Sequence, residues 1–132
     1  MAEESYPEDL KYHEEHDWAR IDGEEATFGI TWYAQDALGG VVFFDPPEIG
    51  DEIKKDAAYA DIDSTKASSE VYAPLSGEVT EVNAKVDDEP EAINEDPYGE
   101  GWLVKVKLSD PAEAEQLMDA EAYKKLLADS SD

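Results

Sequence analysis

The sequence predicts a mostly β fold, and three observations indicate it. Short segments in which apolar and polar residues alternate are separated by turn-forming residues along most of the 132-residue chain. The stretch 59–77 has the pattern of a β-hairpin. A Pro-x-x-Gly-acid turn occurs at 47–51 and again at 74–78, which indicates two similar β-halves facing each other around that hairpin. The main helical patterns lie at 32–38 and 110–128.

The predicted hairpin places a lysine at its tip. Folding the stretch 59–77 about Lys66 and Ala67 sets Ile62 opposite Val71, so that the apolar faces of both strands agree. Lys66-Ala67 is not the Asn-Gly or Asp-Gly pair that favours two-residue hairpins. A tip that departs from the local rules is where function is expected to override stability. An exposed lysine that serves only solubility is the alternative interpretation.

Acidic residues surround this tip in the predicted register. Asp63 falls opposite Glu70, and such a like-charge pair destabilises a hairpin. Asp61, Asp63 and Glu70 should also favour the ammonium form of Lys66. We therefore take Asp63, Ser64 and Glu70 as candidate hairpin or docking residues beside Lys66.

The N-terminal half of the chain gives four further predictions. Residues 1–9 form a loose acidic lead, and two strands then meet at the Asp22-Gly23 turn. Thr31 is the predicted N-cap of a short helix over 32–38. The continuous apolar run 41–44 predicts a strand that is buried on both sides.

The C-terminal half predicts two strands and two helices. The strands cover 78–83 and 103–108, and the second has one wet face. Asp110 begins a helix, with Pro at N1 and Glu at N3, and Asp119 caps a second one. Together the helices form a segment at 110–128, after which the tail should fray.

Nothing in the sequence predicts a self-contained enzyme or a metal centre. His13 and His16 are separated by two glutamates, but at strand spacing they point to opposite faces, and no third ligand cluster is apparent. There is no Cys/His nucleophile pair and no Gly-rich phosphate loop. We expect no catalytic residues and no metal.

The charge of the chain limits its partners. Asp and Glu total 35 against 10 Lys and Arg, which gives a formal net charge of −25. Nucleic acid and anionic membranes are poor partners for such a surface. The start lacks a secretory signal, so we expect one cytoplasmic domain over 1–132, a monomer. The self-repulsion leads to the hypothesis that it works in a high-salt cytoplasm, as in a halophile.

Five segments resemble one known family. The hairpin reads Asp-Ser-Thr-Lys-Ala at 63–67 and Val-Tyr-Ala-Pro-Leu-Ser-Gly at 71–77. His-Asp-Trp at 16–18, the segment 29–39 and Pro-Tyr-Gly-x-Gly-Trp at 97–102 extend the likeness. All are similar to the glycine cleavage system H protein family, which most often has Glu where this chain has Asp63.

The resemblance implies a fold, a cofactor and partners. The fold is a lipoyl-domain-like flattened β-barrel or sandwich of two small antiparallel sheets, a barrel-sandwich hybrid. Lys66 would carry lipoic acid as an amide, attached by a lipoate ligase or lipoyltransferase. The arm would take the aminomethyl group from a pyridoxal-phosphate glycine decarboxylase (P protein) to a tetrahydrofolate-dependent aminomethyltransferase (T protein). Dihydrolipoamide dehydrogenase (L protein) would reoxidise it.

Other functions remain open from the residues alone. A lipoyl or biotinyl module of another complex, such as a 2-oxo-acid dehydrogenase, also places a lysine at a hairpin tip. The segment 97–102 and the C-terminal helices argue against it, and biotin sites usually have Met on both sides of the lysine. An H-like lipoyl donor to other complexes would look the same as an H protein. An unmodified acidic binding protein would make Lys66 incidental.

Overall fold

The computed structural model describes residues 4–130, which form two antiparallel sheets. In sheet B, β4 (Val41–Asp45), β6 (Ala58–Ser64) and β7 (Ser68–Tyr72) lie side by side in that order. The strands of sheet A, in chain order, are β1 (Lys11–His13), β2 (Asp17–Asp22), β3 (Glu25–Ile30), β5 (Glu52–Ile53), β8 (Gly77–Val82) and β9 (Val104–Leu108). Across sheet A the order is β1-β2-β3-β9-β8-β5.

Short helices complete the described part of the chain. They are α1 (Trp32–Leu38), α2 (Ala84–Asp88), α3 (Ala92–Glu95), a 3₁₀ helix (Pro111–Gln116) and α4 (Ala120–Ser130). No helix within residues 4–130 combines the length and the apolar character needed to cross a membrane.

The two sheets enclose the main hydrophobic core. In β9 alternate residues point inward: Val104, Val106 and Leu108 are buried while Lys107 is exposed. The inward residues of β6 and β7 join the same cluster. The predicted mostly β class, with two small antiparallel sheets around the hairpin, is confirmed.

The turn and cap predictions in the first half are also confirmed. β2 and β3 pair from Asp17 to Ile30 around a turn in which Gly23 has a φ of 65°. The Thr31 hydroxyl accepts a hydrogen bond from the Ala34 N–H at 3.2 Å and begins α1 at Trp32.

The prediction that 41–44 is buried on both sides was wrong. Val41 and Phe44 are buried, but Val42 and Phe43 are 57% and 52% exposed. β4 is an edge strand, and its register with β6 shifts between Val41 and Phe43. Because this bulge adds a residue to β4, two consecutive side chains turn outward.

The N-terminal lead is anchored to the fold around Tyr6. Tyr6 is buried with its ring 5.5 Å from that of Tyr123, and the Tyr98 hydroxyl donates to the Ser5 carbonyl. The expected loose lead is therefore wrong for residues 5–7, whose Pro7 carbonyl also accepts from the Tyr12 hydroxyl, while Glu8 and Asp9 are exposed. Residues 1–3 lie outside the described part. Burial of aromatic rings supplies the energy that orders this segment.

The C-terminal segment differs from the prediction in its first helix. Asp110 caps a 3₁₀ helix rather than an α-helix, and Glu113 does not complete a capping box. The Glu113 carboxylate instead accepts hydrogen bonds from the N–H and hydroxyl of Ser76. Asp119 caps α4 as predicted, through the Ala122 N–H at 2.8 Å. α4 continues to Ser130, beyond the expected fraying point.

The repeated Pro-x-x-Gly-acid turns are joined to each other. Gly50 of the first turn donates to the Val79 carbonyl at 2.8 Å, and β5 pairs with β8 through Ile53 and Gly77. A Cβ on Gly77 would clash with the Lys107 carbonyl oxygen, so position 77 of the second turn has no room for a side chain.

Candidate functional site: the lysine at the hairpin tip

Lys66 lies in the turn that joins β6 and β7, at the tip of the predicted hairpin. The Ser64 N–H donates to the Ala67 carbonyl at 2.8 Å, which closes a four-residue turn with Thr65 and Lys66 at its centre. Thr65, Lys66 and Ala67 are exposed to solvent. The prediction of a solvated tip lysine agrees with this geometry.

The predicted register of the hairpin was wrong by two residues. Ile62 pairs with Ser69 rather than Val71, because the turn is centred one residue earlier than expected. A shift by two residues keeps every side chain on the same face, so the predicted apolar face is unchanged. Asp63 pairs with Ser68, not with Glu70.

The like-charge pair across the hairpin is between Asp61 and Glu70. Both side chains are exposed, where water screens their repulsion. Among residues 4–130, no carboxylate lies within salt-bridge distance of the Lys66 ammonium group. The carboxylates around the tip therefore act as a local field rather than as direct partners of the lysine.

Ser64 builds the turn that presents Lys66. Its hydroxyl accepts from the N–H groups of Lys66 and Ala67, at 3.2 and 3.1 Å, and donates to the Ala67 carbonyl at 3.0 Å. Thr65 and Lys66 both keep negative φ, so the turn needs no Asn-Gly pair. Ser64 was a candidate from the sequence, and its hydroxyl stabilises the turn by hydrogen bonds to the turn's own backbone.

The tip rests on two glycines that follow α1. The Thr65 N–H donates to the Gly40 carbonyl at 3.0 Å, and the Lys66 stem covers Gly39, where a Cβ would lie 3.2 Å from Lys66 Cε. Gly39 has a φ of 82°, which an L side chain rarely adopts. This contact fixes the direction in which the lysine leaves the protein.

A buried amide pair holds these glycines in place. The Asn94 side chain donates to the Gly39 carbonyl at 2.8 Å and to the Gln35 side-chain oxygen at 3.0 Å. Its own oxygen accepts from the Val41 N–H at 2.8 Å. Sequence reasoning did not select Asn94 or Gln35, because an amide reveals its role only when its partners are known.

A cavity of about 240 Å³ lies beside the hairpin. It is bounded by α1 and the start of β2 on one side and by β6 and β7 on the other. Apolar and acidic side chains both line it, and they include Ile30, Leu38, Ile62, Val71, Asp17 and Glu70.

Asp17 is the unusual residue of this cavity. It is 1% exposed, and its Oδ2 atom has no hydrogen-bond partner among the described residues. Burial raises the pKa of Asp17 well above its ordinary value; the charge of Glu15 adds to the rise, and the backbone N–H of Tyr72 opposes it. The Tyr59 hydroxyl is likewise buried without a partner, and burial together with Asp17 raises its pKa. Unsatisfied buried groups of this kind are uncommon, and they often mark functional sites.

The two histidines have separate structural partners. His13 accepts at Nδ1 from the Glu15 N–H, so its Nε2 carries the proton that is donated to Asp56 at 2.6 Å. His16 contacts the Tyr123 hydroxyl at 2.8 Å, and burial lowers its pKa. No group of three or more His, Cys, Asp or Glu residues within 4–130 is arranged to hold a metal ion.

Comparison with known proteins places this geometry in a family. The profile of the family described as Glycine cleavage H-protein matches residues 10–130. The glycine cleavage system H protein of Symbiobacterium thermophilum is 52% identical over 117 residues, covering 89% of this chain and 91% of the relative. The chain belongs to the glycine cleavage H-protein family.

Other H proteins extend the likeness. That of Halorhodospira halophila is 48% identical over 124 residues, covering 93% of this chain and 95% of the relative. A crystal structure of the H protein from Mycobacterium marinum superposes with a TM-score of 0.85 at 35% identity, covering 92% of this chain and 98% of that one. The family resemblance and the H-protein fold predicted from the sequence are thereby confirmed.

Membership of the H-protein family supports a carrier component of the glycine cleavage system. These findings give no support to the dehydrogenase module or to the unmodified binding protein as alternatives. The sequence selected Lys66 and Ser64 as candidate site residues. It did not identify Asp17, Asn94 or the contact of the lysine with Gly39, because each depends on residues distant in sequence.

Proposed function

We propose that Lys66 is the lipoyl attachment site and that this protein carries the aminomethyl group of glycine between enzymes. The observation that supports this most directly is a solvent-exposed lysine on a turn held by Ser64 and by the glycines under it. A carrier needs a rigid attachment point and a mobile arm, since tethering raises the effective concentration of the arm's end at each partner.

The residues of the tip suit attachment of a lipoyl group. Lys66 offers an exposed amine, and Gly39 places no side chain against its stem. Once attached, the lipoyl group supplies a dithiolane that exchanges between disulfide and dithiol and carries the aminomethyl group. Attachment removes the positive charge of Lys66, so the surface around the tip becomes more acidic.

The cavity beside the hairpin supports a docked state of the arm. Ile30, Leu38 and Ile62 offer an apolar wall, while Asp17 offers a buried carboxylate oxygen without a partner. This lining suits a group with an apolar stem and a cationic end. Asp17 would orient the cationic end and keep it away from water.

The proposed partners follow from the carrier role. They are the glycine decarboxylase (P protein), the aminomethyltransferase (T protein), dihydrolipoamide dehydrogenase (L protein) and a lipoate ligase or lipoyltransferase. We assign the chain a single lipoyl-carrier domain over 1–132, a cytoplasmic location and a monomeric state. Asp63 and Glu70 remain candidate docking residues, and Ser64 shapes the turn between them.

The decisive experiment is the intact mass of the protein after incubation with lipoate, ATP and a lipoate ligase. We expect one lipoyl addition to the wild-type chain and none to Lys66→Arg, with the melting temperatures of the two alike because Lys66 is exposed. Wild-type protein that stays unmodified by a competent, salt-tolerant ligase would favour an unmodified acidic binding protein.

We also propose that the protein is adapted to a high-salt cytoplasm. The net charge is −25, and the lysine ion pairs within residues 4–130 involve only Lys55 and Lys85. Salt near 1 M shortens the screening length to roughly 3 Å and so weakens the self-repulsion. The melting temperature should rise between low salt and molar KCl, and equal values at both would contradict this adaptation.

A further inference from the structure

Two large apolar side chains are exposed beside the tip of the hairpin. Val42 is 57% and Phe43 52% exposed. Burying such side chains would stabilise the fold, so folding alone does not favour their exposure. The bulge in β4 turns both outward, and bulges often aim side chains next to functional sites.

The position of this pair relative to Lys66 is fixed by hydrogen-bonded pairing. Phe43 lies opposite Asp63, and Val41 lies opposite Ser64, which closes the tip turn. The carbonyl of the preceding residue, Gly40, accepts a hydrogen bond from the N–H of Thr65, the neighbour of Lys66. Val42 and Phe43, which we name the tip patch, therefore lie on the strand adjacent to the lysine.

Carboxylates share the outer face of sheet B with the tip patch. Residues directly opposite each other in an antiparallel pair point to the same face. By that rule Asp63 shares the face of Phe43, and Asp61 shares that of its partners Asp45 and Glu70. Among residues 4–130 none of these four carboxylates has a basic side chain within salt-bridge distance.

We propose that the tip patch is the docking surface for the enzyme that attaches the lipoyl group to Lys66. The matching surface of that enzyme has an apolar pocket for Phe43 and basic residues around it, because opposite charges complement the carboxylates. This inference rests on the proposed function of Lys66. It goes beyond that function by naming the docking surface and the chemistry of the partner that binds there.

The position of the patch favours the attaching enzyme over the enzymes of glycine cleavage. An amide bond at Lys66 Nζ forms only when the ligase active site reaches the lysine itself, so the ligase must cover the strand beside it. The other enzymes act at the far end of the lysine and its acyl chain, and the arm's length keeps that reaction away from β4.

The test compares two exposed apolar residues. Phe43→Ser removes the centre of the patch, and Ile49→Ser is the matched control, since Ile49 is 69% exposed and lies in the turn bonded to Val79. Initial rates of lipoyl addition to the unmodified protein are followed by intact mass with lipoate, ATP and ligase. We expect kcat/KM to fall about tenfold for Phe43→Ser, mainly through KM, and less than about twofold for Ile49→Ser.

A second measurement separates docking from damage and from the other partners. On long incubation Phe43→Ser should accept one full lipoyl group. After a chemical reductant has opened that disulfide to the dithiol and been removed, dihydrolipoamide dehydrogenase with its nicotinamide acceptor should oxidise the dithiol at the wild-type rate. Slower oxidation would overturn the assignment to the attaching enzyme. A Phe43→Ser addition rate equal to wild type would overturn the patch while leaving Lys66 as the attachment site. Absence of addition to the wild type would instead refute the proposed function.

The charge of the partner is tested with Asp61→Asn. If the ligase surface is basic, KM for this variant should rise about threefold at low salt, and the difference should vanish in molar KCl because the charges are screened. A KM that stays at the wild-type value at low salt would overturn the basic character of the partner.

Discussion

The hairpin tip and the aromatic cluster differ in solvent exposure and in the contacts that hold them. The tip, residues 64–67, is held by a few hydrogen bonds and offers its side chains to solvent. The aromatic cluster at the β1 end of sheet A is buried, with the rings of Tyr12 and Tyr123 stacked 4.8 Å apart. The proposed attachment site lies at the exposed tip, where we expect substitution to cost little stability, and we expect the buried cluster to contribute more to stability.

The cluster ties the two ends of the chain to the sheet. The Trp18 indole donates to the Pro97 carbonyl at 3.0 Å, and the Tyr98 hydroxyl accepts from the Trp32 N–H at 2.9 Å. The Tyr123 hydroxyl of α4 contacts the Thr31 hydroxyl that caps α1. The Pro-Tyr-Gly-x-Gly-Trp segment therefore has a structural role, because its hydrogen bonds support β2 of sheet A and the start of α1.

The largest effect is expected from a methyl group added to the cluster. A Cβ on Gly29 would lie 2.5 Å from the Trp18 ring, so Gly29→Ala should lower the free energy of unfolding by about 3 kcal/mol. Gly40→Ala, at the tip, is the matched control. There the nearest neighbour is the Thr65 side chain at 3.9 Å, and the change should stay within about 0.5 kcal/mol. Urea unfolding of both variants checks this, and equal losses would contradict the division between tip and cluster.

A smaller effect, of opposite sign, is expected at Asp17, a buried residue assigned to the site. Its folded pKa is above the ordinary 3.8, so the folded protein binds the proton more tightly than the unfolded chain. That stability is present below pH 3.8 and is lost as the pH rises through the folded pKa. Asp17→Asn should therefore raise the free energy of unfolding at pH 7 by about 1 kcal/mol.

The control for this prediction is Asp45→Asn, which removes an exposed charge. Unfolding is measured from pH 4 to pH 7, and Asp17→Asn should show a flatter profile than wild type while Asp45→Asn keeps its slope. A loss of stability at pH 7 in Asp17→Asn would show that the carboxylate serves the fold. The expected gain supports a buried charge kept for docking the arm.

Much of the fold could be predicted because short sequence patterns indicate its strands and helix starts. Alternation located β2, β3 and β9, and the side chains of Thr31 and Asp119 marked helix starts. The tip lysine was identified because its neighbours match a family motif. The predicted register of the hairpin was wrong because the Ser64 side chain stabilises the turn by hydrogen bonds. A search for an Asn-Gly pair does not detect such a turn.

Other features could not be predicted because they depend on which surface covers a residue. Val42 and Phe43 read as core residues, yet β4 is an edge strand with a bulge. Asp17 is one of 35 acidic residues, and nothing in its neighbourhood of the chain marks it as the buried one. The sequence of the lead at 4–9 indicates a solvated segment, but in the structure the Tyr6 ring packs against Tyr123 of α4.

Local sequence patterns were enough to predict most of the strands, the acidic surface and the lysine at the tip, since each depends on residues within a few positions of one another. The tertiary structure decided how Lys66 lies on Gly39, which carboxylate is buried and which apolar side chains stay exposed. The physical reason is that alternation fixes only the two faces of a strand. Burial of a face depends on segments that are distant in the chain and meet only on folding.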